Sequence, residues 1–314
     1  MLIQKTDILC SLLLHKNEER VSYIADNIEQ FYSEFLRYKT DKLGNKRRNK
    51  PKYSQFGEFW SRTINPPKDE VKDIQKHINN YLVDNVPMPS YAFGGIKRKD
   101  NIRNARFHKG QKFVFQTDLK DFFPRITHKM VYETFVRVGF SHDVSSILTK
   151  LTTYKGHLPQ GAPTSTTIAN LVFVPTGLEI QAIAEREGLR FTTFVDDVTM
   201  SSQKDFKHIV PEIIQTITSH GFKISQGKTT YKSGITEVTG VKMLNNSMAV
   251  TDKFKKALSK ESDEKTPRVQ GMINYKKRIA KVKTNTKTPT DINNTITGYV
   301  IAEVICFLVS SFDV

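Results

Sequence analysis

Cysteine is scarce in this chain. Cys10 and Cys306 stand near opposite ends of its 314 residues, which excludes a disulfide framework and offers no zinc-site spacing. A reducing, cytoplasmic setting is the expectation. Long apolar runs are missing as well. Ile8 to Leu14 is short, has Asp7 on its flank and lacks the small-residue pattern of a cleaved signal. Tyr299 to Phe312 carries Glu303 and falls short of the roughly 20 apolar residues a spanning helix needs. Both read as buried helix faces, so no membrane partner is expected. No repeat of fixed period is visible, which argues against a solenoid. Acid is in deficit: 48 Lys plus Arg face 32 Asp plus Glu, a formal charge of +16. With 38% hydrophobic and 10% aromatic residues, the chain has the means to build cores and is no disordered basic tail.

The basic excess is patterned. Residues 37 to 52 hold eight basic residues against Asp41, residues 97 to 112 hold seven against Asp100, and residues 253 to 287 hold twelve against Glu261, Asp263 and Glu264. The remainder is net acidic. Three separated basic runs on an acidic body fit a groove that tracks a nucleic-acid backbone better than a solvated face of mixed sign. Tyr38, Tyr53, Phe56, Phe59 and Trp60 interleave the first run, although aromatics so spaced more often belong to a core.

Apolar periodicity predicts helices over 17–38, 68–82, 127–138 with Thr127 as cap, 141–153 with Ser141 as cap, 164–187 kinked at Pro175, and 204–220 with Pro211 inside or at a kink. The last 60 residues read as helical, with Asp252 as a cap. Residues 53–64 and 112–119 read as strands, 87–110 as a basic loop, and 189–202 as a β-hairpin with Asp196 and Asp197 at its tip. Strands and helices are segregated rather than alternating, which predicts an α+β fold.

Asp118 ends one predicted strand and Asp196-Asp197 sit at a turn. If the two strands are neighbours, these carboxylates can jointly hold two divalent cations roughly 3.5 to 4 Å apart, as in-line phosphoryl transfer requires. Magnesium, a hard ion that takes oxygen ligands and shares them with substrate phosphates, fits such a set. On the carboxylates alone, an ordinary turn and a strand-end cap remain open.

Asp118-Leu119-Lys120-Asp121-Phe122-Phe123, Leu158-Pro159-Gln160-Gly161-Ala162-Pro163-Thr164-Ser165, Phe194-Val195-Asp196-Asp197, Gly221 to Thr229 and Gly240-Val241-Lys242 resemble, in that order, the palm motifs and primer grip of reverse transcriptases. Arg62-Thr63-Ile64-Asn65-Pro66 is similar to the fingers segment that precedes them. Asn104-Ala105-Arg106-Phe107-His108 and Val238-Thr239-Gly240 fit the Asn-Ala-x-x-His and Val-Thr-Gly elements of retron reverse transcriptases of bacteria. Three positions depart from the pattern: Phe194 replaces the usual Tyr, Thr166 follows Ser165 where Pro is usual, and Pro175 interrupts the next helix.

The resemblance implies a right-hand polymerase: an N-terminal helical extension at 1–49, fingers at 50–110 and 129–160, an antiparallel-sheet palm at 111–128 and 161–245, and a short helical thumb at 246–314. It implies Asp118, Asp196 and Asp197 as metal ligands for two Mg2+ ions, with the Leu119 carbonyl. Asp121 and Phe122 would meet the triphosphate through backbone amides, Arg62 through its guanidinium, and Gln160 would contact the incoming deoxynucleoside triphosphate. Phe123 would be the gate under the sugar, and Lys228 a general acid near the pyrophosphate. Asn104, His108, Val238, Thr239 and Gly240 would bind RNA. By their own chemistry, His108 reads more often as a surface or satisfied histidine than as an RNA contact, and Val238 and Gly240 read equally as strand packing and a bulge.

The implied activity is RNA-directed DNA synthesis on a dedicated structured non-coding RNA that serves as template and primer, giving a branched RNA–DNA hybrid (msDNA) in anti-phage defence beside a separate effector protein. Another defence-associated or group II intron-like reverse transcriptase, a template-independent or RNA-making polymerase, and a catalytically silent RNA-binding scaffold are the alternatives.

Overall fold

The computed structural model describes residues 2–38, 61–245, 247–261 and 266–281. Tyr53, Phe56, Phe59, Trp60, Cys306, most of the first basic run, the end of the third and the 299–312 stretch lie outside them. In chain order the principal elements are α1 (Glu18–Asp26), β1 (Phe35–Tyr38), β2 (Ser61–Ile64), α2 (Asp69–Asn85), α3 (Asn101–Phe107), β3 (Phe113–Asp118), α4 (His128–Val138), α5 (His142–Thr152), α6 (Ser165–Val172) and α7 (Val174–Arg186). They continue as β4 (Arg190–Phe194), β5 (Asp197–Ser202), α8 (Val210–Ser219), β6 (Thr230–Ser233), β7 (Thr236–Val238), β8 (Val241–Met243), β9 (Met248–Val250), α9 (Asp252–Glu261) and α10 (Pro267–Ala280). The named strands pair antiparallel throughout, as the α+β expectation requires. Among the described residues no single helix is long and apolar enough to cross a membrane.

The chain divides into two compact units, residues 1–86 with 121–173 and residues 87–120 with 174–314. The first is largely helical. In α2 the stripe Val71, Ile74, Ile78 and Leu82 is buried to within 1%, because residues three and four apart share one helix face. Thr127 and Ser141 cap α4 and α5 by accepting the N–H groups of Met130 and Val144, each cap being worth about 1 kcal/mol.

One predicted helix is corrected here. α1 stops at Asp26, where the Asn27 side chain donates to the Tyr23 carbonyl and competes with helix continuation. A 3-10 turn follows, and Phe35, half exposed, belongs to β1, which pairs with β2. That partner is distant in sequence and leaves no mark on local periodicity.

The second unit holds a four-stranded sheet in the order β4-β5-β3-β6 and a three-stranded sheet β7-β8-β9. β5 lies between β4 and β3 and is buried at every position after Asp197. The segment read as a loop contains α3, whose N-cap Asp100 accepts from Arg103 N–H. α3 packs on β4 and on β7 and β8, with Ile102 and Ala105 in a core formed with Val114, Val238, Val241, Met243, Met248, Val250 and Ile279.

The kink expected within 164–187 is present, and one expected cap shifts. The 164–187 helix is broken at Phe173 into α6 and α7, since Pro175 lacks an N–H and crowds the carbonyl four residues before it. The cap of α9 is Thr251, whose hydroxyl accepts from Phe254 N–H, while Asp252 is the first helical residue and pairs with Lys242.

Candidate active site

β3 and β5 pair in a register that sets Asp118 directly opposite Asp197, and β4 and β5 are joined by the two-residue turn Val195-Asp196. The Asp196 carbonyl accepts the Leu119 N–H at 2.8 Å, which ties that turn to the end of β3. Asp118, Asp196 and Asp197 therefore converge, each offering a carboxylate oxygen within 4.8 Å of the others.

Like charges opposed across a strand pair destabilise it. Lys228 offsets part of that charge by an ion pair to Asp118 Oδ2 at 2.5 Å, and Ser225 donates to Asp118 Oδ1 at 2.6 Å. Asp197 shows what remains. Although much of its surface is exposed, the desolvation of its carboxyl, reinforced by Asp196 and Asp118, raises its pKa to about 6 against the pull of Lys228. Three oxygen donors with excess negative charge at a strand end fit a divalent cation. Asp118 and Asp197 line an open cleft of about 310 Å³ together with Gln116, Thr199, Thr230, Lys232 and Glu237.

The turn is held under strain. Val195 has φ +59°, a left-handed conformation that costs a β-branched residue about 1–3 kcal/mol and persists only where the surroundings over-determine it. Some of those surroundings were not legible in the sequence. Gly94 lies so close that a Cβ there would stand 2.4 Å from Val195 N. Phe93 N–H donates to the Thr193 carbonyl of β4, and Thr193 N–H donates to the Tyr91 carbonyl, each at 2.8 Å. Lys99 donates to the carbonyls of Ser90 and Ala92 at 2.7 Å each, and burial lowers its pKa to about 8.

In the first unit, Arg62 and Gln160 belong to neighbouring segments: Asn65 N–H donates to the Gln160 carbonyl at 2.7 Å. Arg62 is exposed and stands opposite Arg37 across the β1–β2 pair, so two cations face each other where an anion would relieve them. Arg37 was not singled out from the sequence; the alternation of a four-residue strand is too short a signal. Asp121 has φ +53°, which a short polar residue tolerates. Phe122 is buried against Phe173, and Phe123 is half buried beside it.

Of the residues expected to meet RNA, Asn104, His108 and Val238 are 0% exposed. Asn104 Nδ2 reaches Thr239 Oγ1 at 3.4 Å. His108 Nδ1 lies 2.7 Å from Ser201 Oγ and its Nε2 2.7 Å from Thr192 Oγ1. Burial, then Arg190, depresses its pKa to about 3 and keeps the ring neutral.

Val238 packs in the core with Val241 and Met243 of β8. Thr239 (φ +44°) and Gly240 (φ +77°) form the two-residue turn from β7 to β8, which demands positive φ at both positions. Thr239 bears that strain while its hydroxyl donates to the Asn101 carbonyl at 3.1 Å and its own carbonyl accepts from Asn101 Nδ2 at 3.0 Å. Gly240 is exposed.

Residues 57–257 match the family described as reverse transcriptase (RNA-dependent DNA polymerase). The Retron Ec86 reverse transcriptase of Escherichia coli is 35% identical over 170 residues, 54% of this chain and 53% of the relative. The Retron Se72 reverse transcriptase of Salmonella heidelberg is 29% identical over 226 residues, 70% of this chain and 55% of the relative. The Retron Mx162 reverse transcriptase of Myxococcus xanthus is 28% identical over 198 residues, 54% and 41%. The chain spans about half the length of these curated relatives. Ordered motifs, three convergent aspartates and a match over most of its length agree: the chain belongs to the reverse transcriptase family, and the relatives it matches are retron reverse transcriptases.

Proposed function

We propose that the chain is an RNA-directed DNA polymerase of the retron class, copying a structured non-coding RNA that serves as both template and primer into an RNA-linked DNA. The observation that carries this reading is the convergence of Asp118, Asp196 and Asp197 at a strand end and a strained turn. Asp118, Asp196, Asp197 and the Leu119 carbonyl would hold two Mg2+ ions, which when bound lower the pKa of an attacking hydroxyl and neutralise the leaving pyrophosphate.

The resemblance gives further groups of the chain binding and orienting roles. Arg62 holds triphosphate oxygens, the amides of Asp121 and Phe122 donate to them, and Gln160 meets the incoming nucleotide. Phe123 excludes a 2′-hydroxyl by clash, which selects deoxynucleotides by rejection of the competitor. Lys228, paired with Asp118 in this structure, is the group that would protonate the pyrophosphate. Gly240 and the cations of the 253–287 run track the template backbone. Fingers, palm and thumb at the boundaries given above, a cytoplasmic setting, a branched product and a separate effector complete the reading.

The test is primer extension on RNA extracted with the protein. Asp196→Ala with Asp197→Ala should abolish DNA synthesis and leave RNA affinity within about twofold, since metal ligands act on the transition state rather than on template binding. Undiminished synthesis by that variant would refute it.

A further inference from the structure

We propose that His108 is a positioning residue for the turn that carries Asp196 and Asp197, acting as a cross-tie between the two strands of the hairpin rather than as an RNA contact. The inference rests on the reading of those aspartates as metal ligands.

In the β4–β5 register Thr192 faces Thr199 and Ser201 faces Arg190. Because side chains alternate with period two, Arg190, Thr192, Thr199 and Ser201 share one face of the hairpin, and Thr192 and Ser201 lie on its diagonal. The imidazole spans that diagonal, with one nitrogen 2.7 Å from each hydroxyl. Both hydroxyl residues are themselves 0% exposed. A neutral ring has one donor and one acceptor nitrogen, so one hydroxyl gives a proton to the bridge and the other receives one. A slip of one residue between the strands would turn one of the two hydroxyls to the opposite face and break the bridge.

The latch extends on either side of the ring. Arg190 Nη1 donates to the carbonyls of Phe107 at 2.7 Å and Lys109 at 3.1 Å, at the C-terminal end of α3 where a cation is favourable. At the other end of α3, Asn101 holds the Thr239 carbonyl and the Tyr275 hydroxyl at 2.7 Å, while Arg278 pairs with Asp100 at 2.5 Å. α3 is thus fixed to β7–β8 and α10 at its start and to β4–β5 at its finish. Thr192 lies three residues before the strained Val195. Fully satisfied buried polar networks specify one geometry, and here that geometry decides how the two aspartates present their oxygens.

Mn2+ binding followed by electron paramagnetic resonance reads the site without any synthesis. His108→Ala, and separately Thr192→Val with Ser201→Ala, which keeps the ring and removes its partners, are compared with wild type at a temperature where near-ultraviolet circular dichroism shows each folded. A loss of Mn2+ affinity of tenfold or more in both, with RNA affinity within twofold of wild type, is the expected result. Should His108→Ala fail to fold, the hydroxyl variant decides by the same measure. Unchanged Mn2+ affinity in folded variants overturns the positioning role, as does a tenfold loss of RNA affinity on His108→Ala with Mn2+ binding intact. Wild type that binds Mn2+ through Asp196 and Asp197 yet makes no DNA overturns the polymerase reading alone.

Discussion

A substitution at Phe123 would open space, whereas one at Gly94 would fill it. Phe123 is half buried, with its ring 5.7 Å from that of Phe122, so truncation opens room rather than unravelling a core. Phe123→Ala should increase ribonucleotide incorporation relative to deoxynucleotide by tenfold or more, measured by competing the two in single-nucleotide extension; an unchanged ratio removes the gate. Gly94 acts by what it lacks. A methyl there meets the backbone of Val195, which cannot swing aside as a side-chain tip can. Gly94→Ala should cost about 1–3 kcal/mol, as overpacking does, and lower extension more than tenfold, read by thermal melting and primer extension together. The convergent carboxylates were legible in the sequence because chemistry restricts which side chains can serve. Gly94, Arg37 and Ser225 were not, because a small, a basic or a hydroxyl residue suits a hundred surface positions and only its neighbours give it a task.

Among the elements, the β4–β5 hairpin and α3 carry most of the explanation. The hairpin and its acidic tip could be read from two apolar runs around Asp196-Asp197. Its docking on β3 could not, since Asp118 and Asp197 are brought opposite by a pairing across some 80 residues of chain. α3 was missed: its seven residues hold too few apolar positions for a helical stripe, and its stability comes from Ile102 and Ala105 in a core whose other members lie far along the chain. Its last neighbour, His108, makes a pH prediction. The buried ring has a folded pKa far below the usual 6.5, so the unfolded chain binds the extra proton and stability declines as pH falls from about 6.5 toward 3, by up to about 1.4 kcal/mol per unit. His108→Gln removes that contribution. The stability gap between wild type and variant should therefore narrow between pH 7 and pH 5, measured by urea unfolding; a constant gap would show that the ring titrates freely.

At the scale of the whole molecule, the formal charge of +16 predicts RNA affinity that falls steeply with salt, as each neutralised phosphate releases counterions. With six or more phosphate contacts, affinity should drop about a thousandfold between 50 and 200 mM salt, measured by filter binding; a slope near zero would remove the backbone-tracking groove. Family membership and antiparallel sheets flanked by helices agree on the right-hand polymerase fold expected from the ordered motifs. The sequence by itself determined the family, the α+β class, the basic charge balance and the identity of the three aspartates that converge, because residue type and order along the chain are enough to encode composition, local periodicity and reactive groups. Tertiary structure alone decided that Asn104, His108 and Val238 face inward. Whether a polar side chain meets solvent or a buried hydroxyl depends on which distant strands close over it, and that is settled by long-range packing rather than by any local pattern.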